Sequence, residues 1–216
     1  MDILQLVVAA MLQLTPEQGR PTATSPQLDT YVAIAGGIEE AVSQPLEGVL
    51  PFSGPAAKEA SALALAAVAR NESGYREDVR KCTVKGDAGR SVSAFQLYRG
   101  TSRRGYSEAA ICADDTLAAR LSLGVLSWYR TVPTVTNMFQ GYASGNSTFR
   151  SRGSSNQAYM FSRLVSGRIR IQHDRASKTL RADFINDPNQ LSLNNVILPD
   201  EHAAIYVRLT TLTPKQ

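Results

Sequence analysis

Glu72 is the residue of this chain best placed to do chemistry. It stands in "RNESGYRE" (70–77), directly after the apolar run "ALALAAVA" (62–69). A helix that is apolar on every side has to be buried, so its last turn carries the carboxyl to the edge of a core. Partial desolvation there disfavours the charged form and raises the pKa. A carboxylic acid still protonated near neutral pH is what glycoside cleavage needs to protonate the leaving oxygen. Two cysteines and two histidines, Cys82, Cys112, His173 and His202, have spacings that fit no zinc finger or ribbon. We expect no metal and no cofactor.

These groups need elements to hold them. Residues 2–14 read as a short helix ended by "TPEQGRPTATSP". A second helical segment, "QLDTYVAIAGGIEEAVSQ", is expected to be interrupted at Gly36-Gly37, and the Pro/Gly cluster "QPLEGVLPFSGP" marks the start of the main domain. Pro55 opens the helix that carries Glu72, and Gly74 stops it. "KCTVKGDAGRSVSAFQLYRG" reads as an irregular loop or small β-hairpin, and "SEAAICADDTLAARLSLGVLSWYRTV" as one amphipathic helix. On that helix Trp128 and Tyr129 are read as core. Another helix is expected over 155–166. The last 48 residues change to period two in "GRIRIQ", "TLRADF", "QLSL" and "AIYVRLT", which suggests half-buried strands.

"ESGY" (72–75), "AFQLY" and "FQGYASGN", in that order and with a helix over 115–129 between the second and third, resemble the signature stretches of the lysozyme-like lytic transglycosylases. The resemblance covers roughly residues 51–168. It implies a mainly helical α+β domain with a small β-region, a catalytic Glu72, and a sugar cleft lined by Gln96, Tyr142 and Gly145. Ser73, Tyr75 and Phe95, next to the motif residues, are expected to contact substrate as well. Two positions depart from the family pattern. Ser93 stands where the family usually has Gly, and Ala143 where it often has Asn.

A glycoside hydrolase normally needs a second carboxylate. In lysozyme relatives an Asp lies about five residues before the Gln, and here that position is Ser91. Asp87, Glu77 and Asp78 are nearby, so a hydrolytic muramidase remains the alternative. The single-acid cycle of a transglycosylase fits better. Its Glu protonates the glycosidic oxygen, then takes a proton from the muramoyl 6-hydroxyl, which closes a 1,6-anhydro ring. A structural protein that keeps the fold without catalysis is the alternative of another class.

The remaining features bound the setting. The 216 residues, 43% hydrophobic and 19% charged, describe an ordinary globular chain able to bury a sizeable core. No apolar run is long enough to span a bilayer. The start has the wrong charge for an export signal, so a packed helix is expected there. The net charge of +4 is uneven, because residues 150–181 hold eight Lys/Arg against Asp174 alone. A polyanion is one reading of that stretch and a solvated face is another; nucleic acid is disfavoured, since no interleaved aromatics accompany it. Cys82 and Cys112 suit one disulfide if the protein works outside the cytosol, worth about 3.5 kcal/mol through loop closure. The chain divides into a helical extension (1–50), the transglycosylase-like domain (51–168) and a β-rich tail (169–216). Extension and tail suit docking to other proteins of a larger machine. That machine is read as a phage virion acting on the bacterial cell wall, or alternatively a secretion apparatus in the periplasm, with peptidoglycan glycan strands as the substrate.

Overall fold

The chain is α+β, and its computed structural model describes residues 2–21 and 25–185. In chain order the described elements are α1 (Ile3–Leu14), α2 (Pro26–Ser43), β1 (Phe52–Ser53), α3 (Ala57–Ser73), α4 (Glu77–Arg80), β2 (Ser91–Val92), β3 (Leu97–Tyr98), α5 (Glu108–Ala113), α6 (Asp115–Trp128), α7 (Val135–Ser144), α8 (Arg152–Val165), β4 (Ile169–Asp174) and β5 (Thr179–Phe184). Helix α3 is the axis around which the others pack. Every residue from Ala60 to Ala69 is buried, so this helix has no solvated face, as its composition demands. Its alanines let α1, α2, α6 and α8 approach from different sides. One hydrophobic cluster runs from Leu6 through the α3 residues to Ala182.

That single core joins the segments that the sequence divides into extension, domain and tail. Helices α1 and α2 contribute Val7, Met11, Tyr31 and Ile38 to it, all buried. The tail contributes Leu180 and Ala182 through β5, which pairs antiparallel with β4 and parallel with β1, giving the order β1-β5-β4. The strands expected at "QLSL" and "AIYVRLT" lie outside the described residues. No described helix is long and apolar enough to cross a membrane.

Two expectations about elements are corrected. Helix α2 runs unbroken through Gly36-Gly37. A Cβ added at Gly37 would stand 2.7 Å from the Asp115 carbonyl oxygen, so this glycine serves a close helix crossing and not a break. The amphipathic segment after Ser107 is two helices. Asp114 leaves helical geometry (φ −133°, ψ 103°), and its side chain accepts from the Leu117 N–H as N-cap of α6. Residues 139–144 of "FQGYASGN" lie on α7, and Gly145 caps it.

The irregular stretch after α4 forms a two-stranded antiparallel β2–β3 hairpin, in register Ser91↔Tyr98 and Val92↔Leu97. Cys82 and Cys112 are joined in a disulfide that ties this region to α5.

Candidate active site

The C-terminal turn of α3 is locked from several directions. Gly74 caps it in the left-handed region (φ 62°), its N–H donating to the Arg70 carbonyl. The Ser73 hydroxyl donates to the Ala69 carbonyl at 2.8 Å and accepts from the Tyr75 N–H at 3.1 Å. Tyr75 then turns back under the helix. Its hydroxyl donates to the Ala66 carbonyl at 2.9 Å, and its ring meets Tyr31 edge-on at 5.1 Å. Glu72 is thereby held as a partly buried side chain on a rigid helix end.

Two amides reach the same oxygen of this carboxyl. Asn71 Nδ2 lies 3.2 Å from Glu72 Oε1, and Gln157 Nε2, from α8, lies 2.6 Å from it. Burial pushes the Glu72 pKa up to about 7. The Asn71 and Gln157 hydrogen bonds pull it down, and the Asp87 charge adds to the rise. No ion pair forms at Glu72 among the described residues. The carboxyl is therefore poised to be protonated or ionised near neutrality.

Glu72 borders a cleft of about 840 Å³ whose lining includes Asp87, Gln96, Tyr98, Trp128, Tyr142 and Gly145. Tyr142 is presented by α7. Its hydroxyl donates to the Phe95 carbonyl at 2.8 Å and lies 3.4 Å from Ser122 Oγ. Burial, reinforced by the Glu72 charge, holds this phenol well above its ordinary pKa, so it stays neutral. Gly145 (φ 71°) ends α7 by donating its N–H to the Gly141 carbonyl at 2.8 Å. Tyr129 lies flat against Gly141, where an added Cβ would meet the ring at 2.5 Å.

Gln96 sits on a strained turn between β2 and β3. Its own φ is 50°, and Ser93 is at φ 68°, a backbone region that favours glycine. Ser93 is held there because its N–H donates to Cys82 Sγ at 3.3 Å and its hydroxyl accepts from the Phe95 N–H at 3.3 Å. The Gln96 amide donates to the Ser93 carbonyl at 3.1 Å. Its Oε1 occupies space that a Cβ on Gly86 would close, at 1.9 Å. Asp87 and Ala88, also at positive φ, complete a cluster of unusual backbone beside the cleft; such clusters gather at functional sites. The Asp87 carboxylate accepts from the Ser91 hydroxyl.

Glu72, Gln96, Tyr142 and Gly145 are thus brought to one cleft. Ser73, Tyr75 and Phe95 are corrected. Ser73 is buried with its hydroxyl engaged by the helix end. Tyr75 and Phe95 are fully buried core rings, unable to wall a cleft. Phe95 contributes only its carbonyl, to Tyr142. Trp128 is corrected in the other direction: it is 75% exposed and faces the cleft. Its place in the apolar stripe of α6 predicts core, but the helix ends there and no described residue covers it. Asn71 and Gln157 were unread. Asn71 adjoins the motif and offers a weak signal, whereas Gln157 lies 85 residues from Glu72 and offers none.

No group of three or more His, Cys, Asp or Glu among the described residues could hold a metal ion. No family model, no curated protein and no solved structure matches this chain, so its chemistry is read from the cleft itself.

Proposed function

We propose that the protein is a peptidoglycan lytic transglycosylase that cleaves the β-1,4 bond between muramoyl and glucosaminyl residues. The observation that carries this reading is Glu72, a carboxyl raised to about 7 by burial, with no ion-pair partner among the described residues, at the wall of a cleft lined by polar and aromatic side chains. Protonated Glu72 donates to the glycosidic oxygen as the bond to C1 breaks. The resulting carboxylate accepts the proton of the muramoyl 6-hydroxyl while that oxygen bonds to C1, giving the 1,6-anhydro end. The acid is restored in the same turnover. Gln96, Tyr98 and Trp128 supply the polar and aromatic surfaces that sugars use. The glycine-like backbone at Ser93 further supports the reading, because it reproduces with a serine the turn the motif requires.

One observation favours a second reading within the same chemistry. Asp87 also lines the cleft, is fixed by Ser91, and is close enough for its charge to raise Glu72. A carboxylate so placed suits a hydrolytic muramidase that activates water. Product analysis separates the two on purified peptidoglycan. Anhydro-muramoyl ends, lost in Glu72→Gln, support the transglycosylase, whereas reducing ends alone, abolished by Asp87→Asn, would establish the hydrolase. Wild-type clearing by Glu72→Gln would sink both.

The disulfide suits work outside the cytosol. We place the enzyme in a phage particle that opens the cell wall locally, in preference to a secretion apparatus, with glycan strands as its partner. Detection of the protein in purified virions tests that placement.

A further inference from the structure

The two oxygens of Glu72 are not equivalent. Oε1 accepts from both Asn71 and Gln157, whereas Oε2 has no hydrogen-bond partner among the described residues. Gln157 is itself fully buried, and its carbonyl Oε1 has no partner among the described residues. A buried amide ordinarily orients to satisfy both ends. Here the NH₂ end makes a 2.6 Å contact with Glu72 while the carbonyl end goes without. Its orientation is therefore dictated by the carboxyl and not by its own surroundings.

The elements that deliver this amide are built for the purpose. Helix α8 starts in a capping box, Ser151 and Ser154 exchanging side-chain and backbone bonds. At its first turn Gly153 faces Asn71: a Cβ there would stand 3.3 Å from Asn71 Nδ2. Gly153 and Gln157, four residues apart on one face of α8, thus leave room for one amide and carry the other, both reaching Oε1.

We infer that Gln157 is a positioning residue which, together with Asn71, reserves Glu72 Oε1 as an acceptor and leaves Oε2 as the oxygen that exchanges the proton with substrate. An oxygen that already accepts two N–H bonds has little capacity left to carry a hydrogen. The proton of the neutral acid then resides on Oε2 of this cleft-lining residue. Donation to the glycosidic oxygen and recovery from the attacking hydroxyl use this one atom, with no rotation of the carboxyl between the two steps. Of the titratable groups facing Glu72 from the other packed elements, Asp87, from the turn before β2, acts on it through its charge, whereas Tyr142, from α7, feels the Glu72 charge and stays neutral. Gln157 is the neutral counterweight from α8.

The inference rests on the glycan-cleaving reading, and its test keeps the two apart. The Glu72 side-chain carboxyl is titrated by carbon-13 NMR in the wild type, in Gln157→Met, which keeps the shape without the donor, and in Gln157→Leu. Removing a donor that favours the carboxylate should move the Glu72 midpoint upward, by roughly half a unit or more, in every variant that folds. On peptidoglycan, kcat should fall on the order of tenfold to a hundredfold with KM little changed. The alkaline limb of the kcat profile should move up with the titration. An unmoved midpoint, or a raised KM with unchanged kcat, would overturn the assignment and leave Gln157 as packing. A wild-type protein inert toward peptidoglycan would remove the glycan reading, while the titration would still decide whether Gln157 governs Oε1.

Discussion

Glu72 and Glu77 stand five residues apart and meet opposite fates. Glu72 ends α3 at the cleft wall, where burial without a cation lifts its pKa to about 7. Glu77 begins α4 on another face, beside an open hollow of about 820 Å³ lined by Asp29, Arg76, Asp78, Arg80 and Lys81. There the Arg80 guanidinium binds it at 2.8 Å through both Nε and Nη2, the Thr30 hydroxyl donates at 2.7 Å, and its pKa falls to about 2. Arg80 also pairs with Asp115 at the start of α6. The hollows are similar in volume, yet one offers an acid near neutrality and the other a fastened strut. What separates them is burial at Glu72 and a cation at Glu77.

The largest effect that would break this contrast is chemical. Glu72→Gln should lower the glycan-cleavage rate by roughly 10²–10⁴-fold, the range for a lost general acid, with the fold retained by circular dichroism. Normal turnover in a folded variant would remove Glu72 from the reaction.

The same substitution carries a stability prediction of opposite sense. The folded-state pKa of Glu72 lies above its ordinary 4.5, so the neutral acid favours the fold. That contribution is complete below about pH 4.5 and is lost as pH rises through about 7, a difference of about 3 kcal/mol. Glu72→Gln should therefore be more stable than wild type in urea at pH 8 and nearly equal to it at pH 4. Equal stability at both values would show that burial does not raise this group.

On the other face, Arg80→Met should cost about 2 kcal/mol by thermal or urea unfolding. The arginine is buried, with 9% of its side chain exposed, but Glu77 and Asp115 are partly solvated and keep water when it leaves. Activity should change little. A loss of cleavage comparable to that of Glu72→Gln would mean the two regions are not independent.

Trp128→Ala sharpens the cleft side. An exposed ring at the end of α6 contributes little to the fold, so stability should change by under about 0.5 kcal/mol. KM for glycan strands should rise roughly tenfold, as expected for a lost stacking surface. An unchanged KM with lost stability would return Trp128 to a structural role.

The smallest effect belongs to Glu77→Gln. A depressed pKa stabilises above about pH 4.5, and the gain disappears as pH falls toward about 2. Half of the Glu77 side chain is exposed, so solvent screening limits the loss at neutral pH to under about 1 kcal/mol. The deficit should vanish in acid.

Local pattern and chemistry determined a good part of this molecule. The composition of "ALALAAVA" required a buried helix, Gly74 required its end, and the two together put a carboxyl at the edge of a core. The period-two segments "GRIRIQ" (167–172) and "TLRADF" (179–184) led into β4 and β5 because alternation is written residue by residue. Gln96, Tyr142 and Gly145 were legible through motif order. Tertiary structure alone decided which neighbours of those residues reach the cleft. Tyr75 and Phe95 turned inward, since a ring beside a motif faces whichever side its backbone allows, and at Tyr75 a positive φ sends it under α3. Trp128 turned outward because a helical stripe fixes a direction but not whether a neighbour covers its last turn. Gly37 met α6 instead of breaking α2, which depends on how two helices cross. Above all, the partner that selects one oxygen of Glu72 comes from α8, 85 residues along the chain. Periodicity and spacing describe a few turns of backbone; a contact at that separation exists only once the helices have packed.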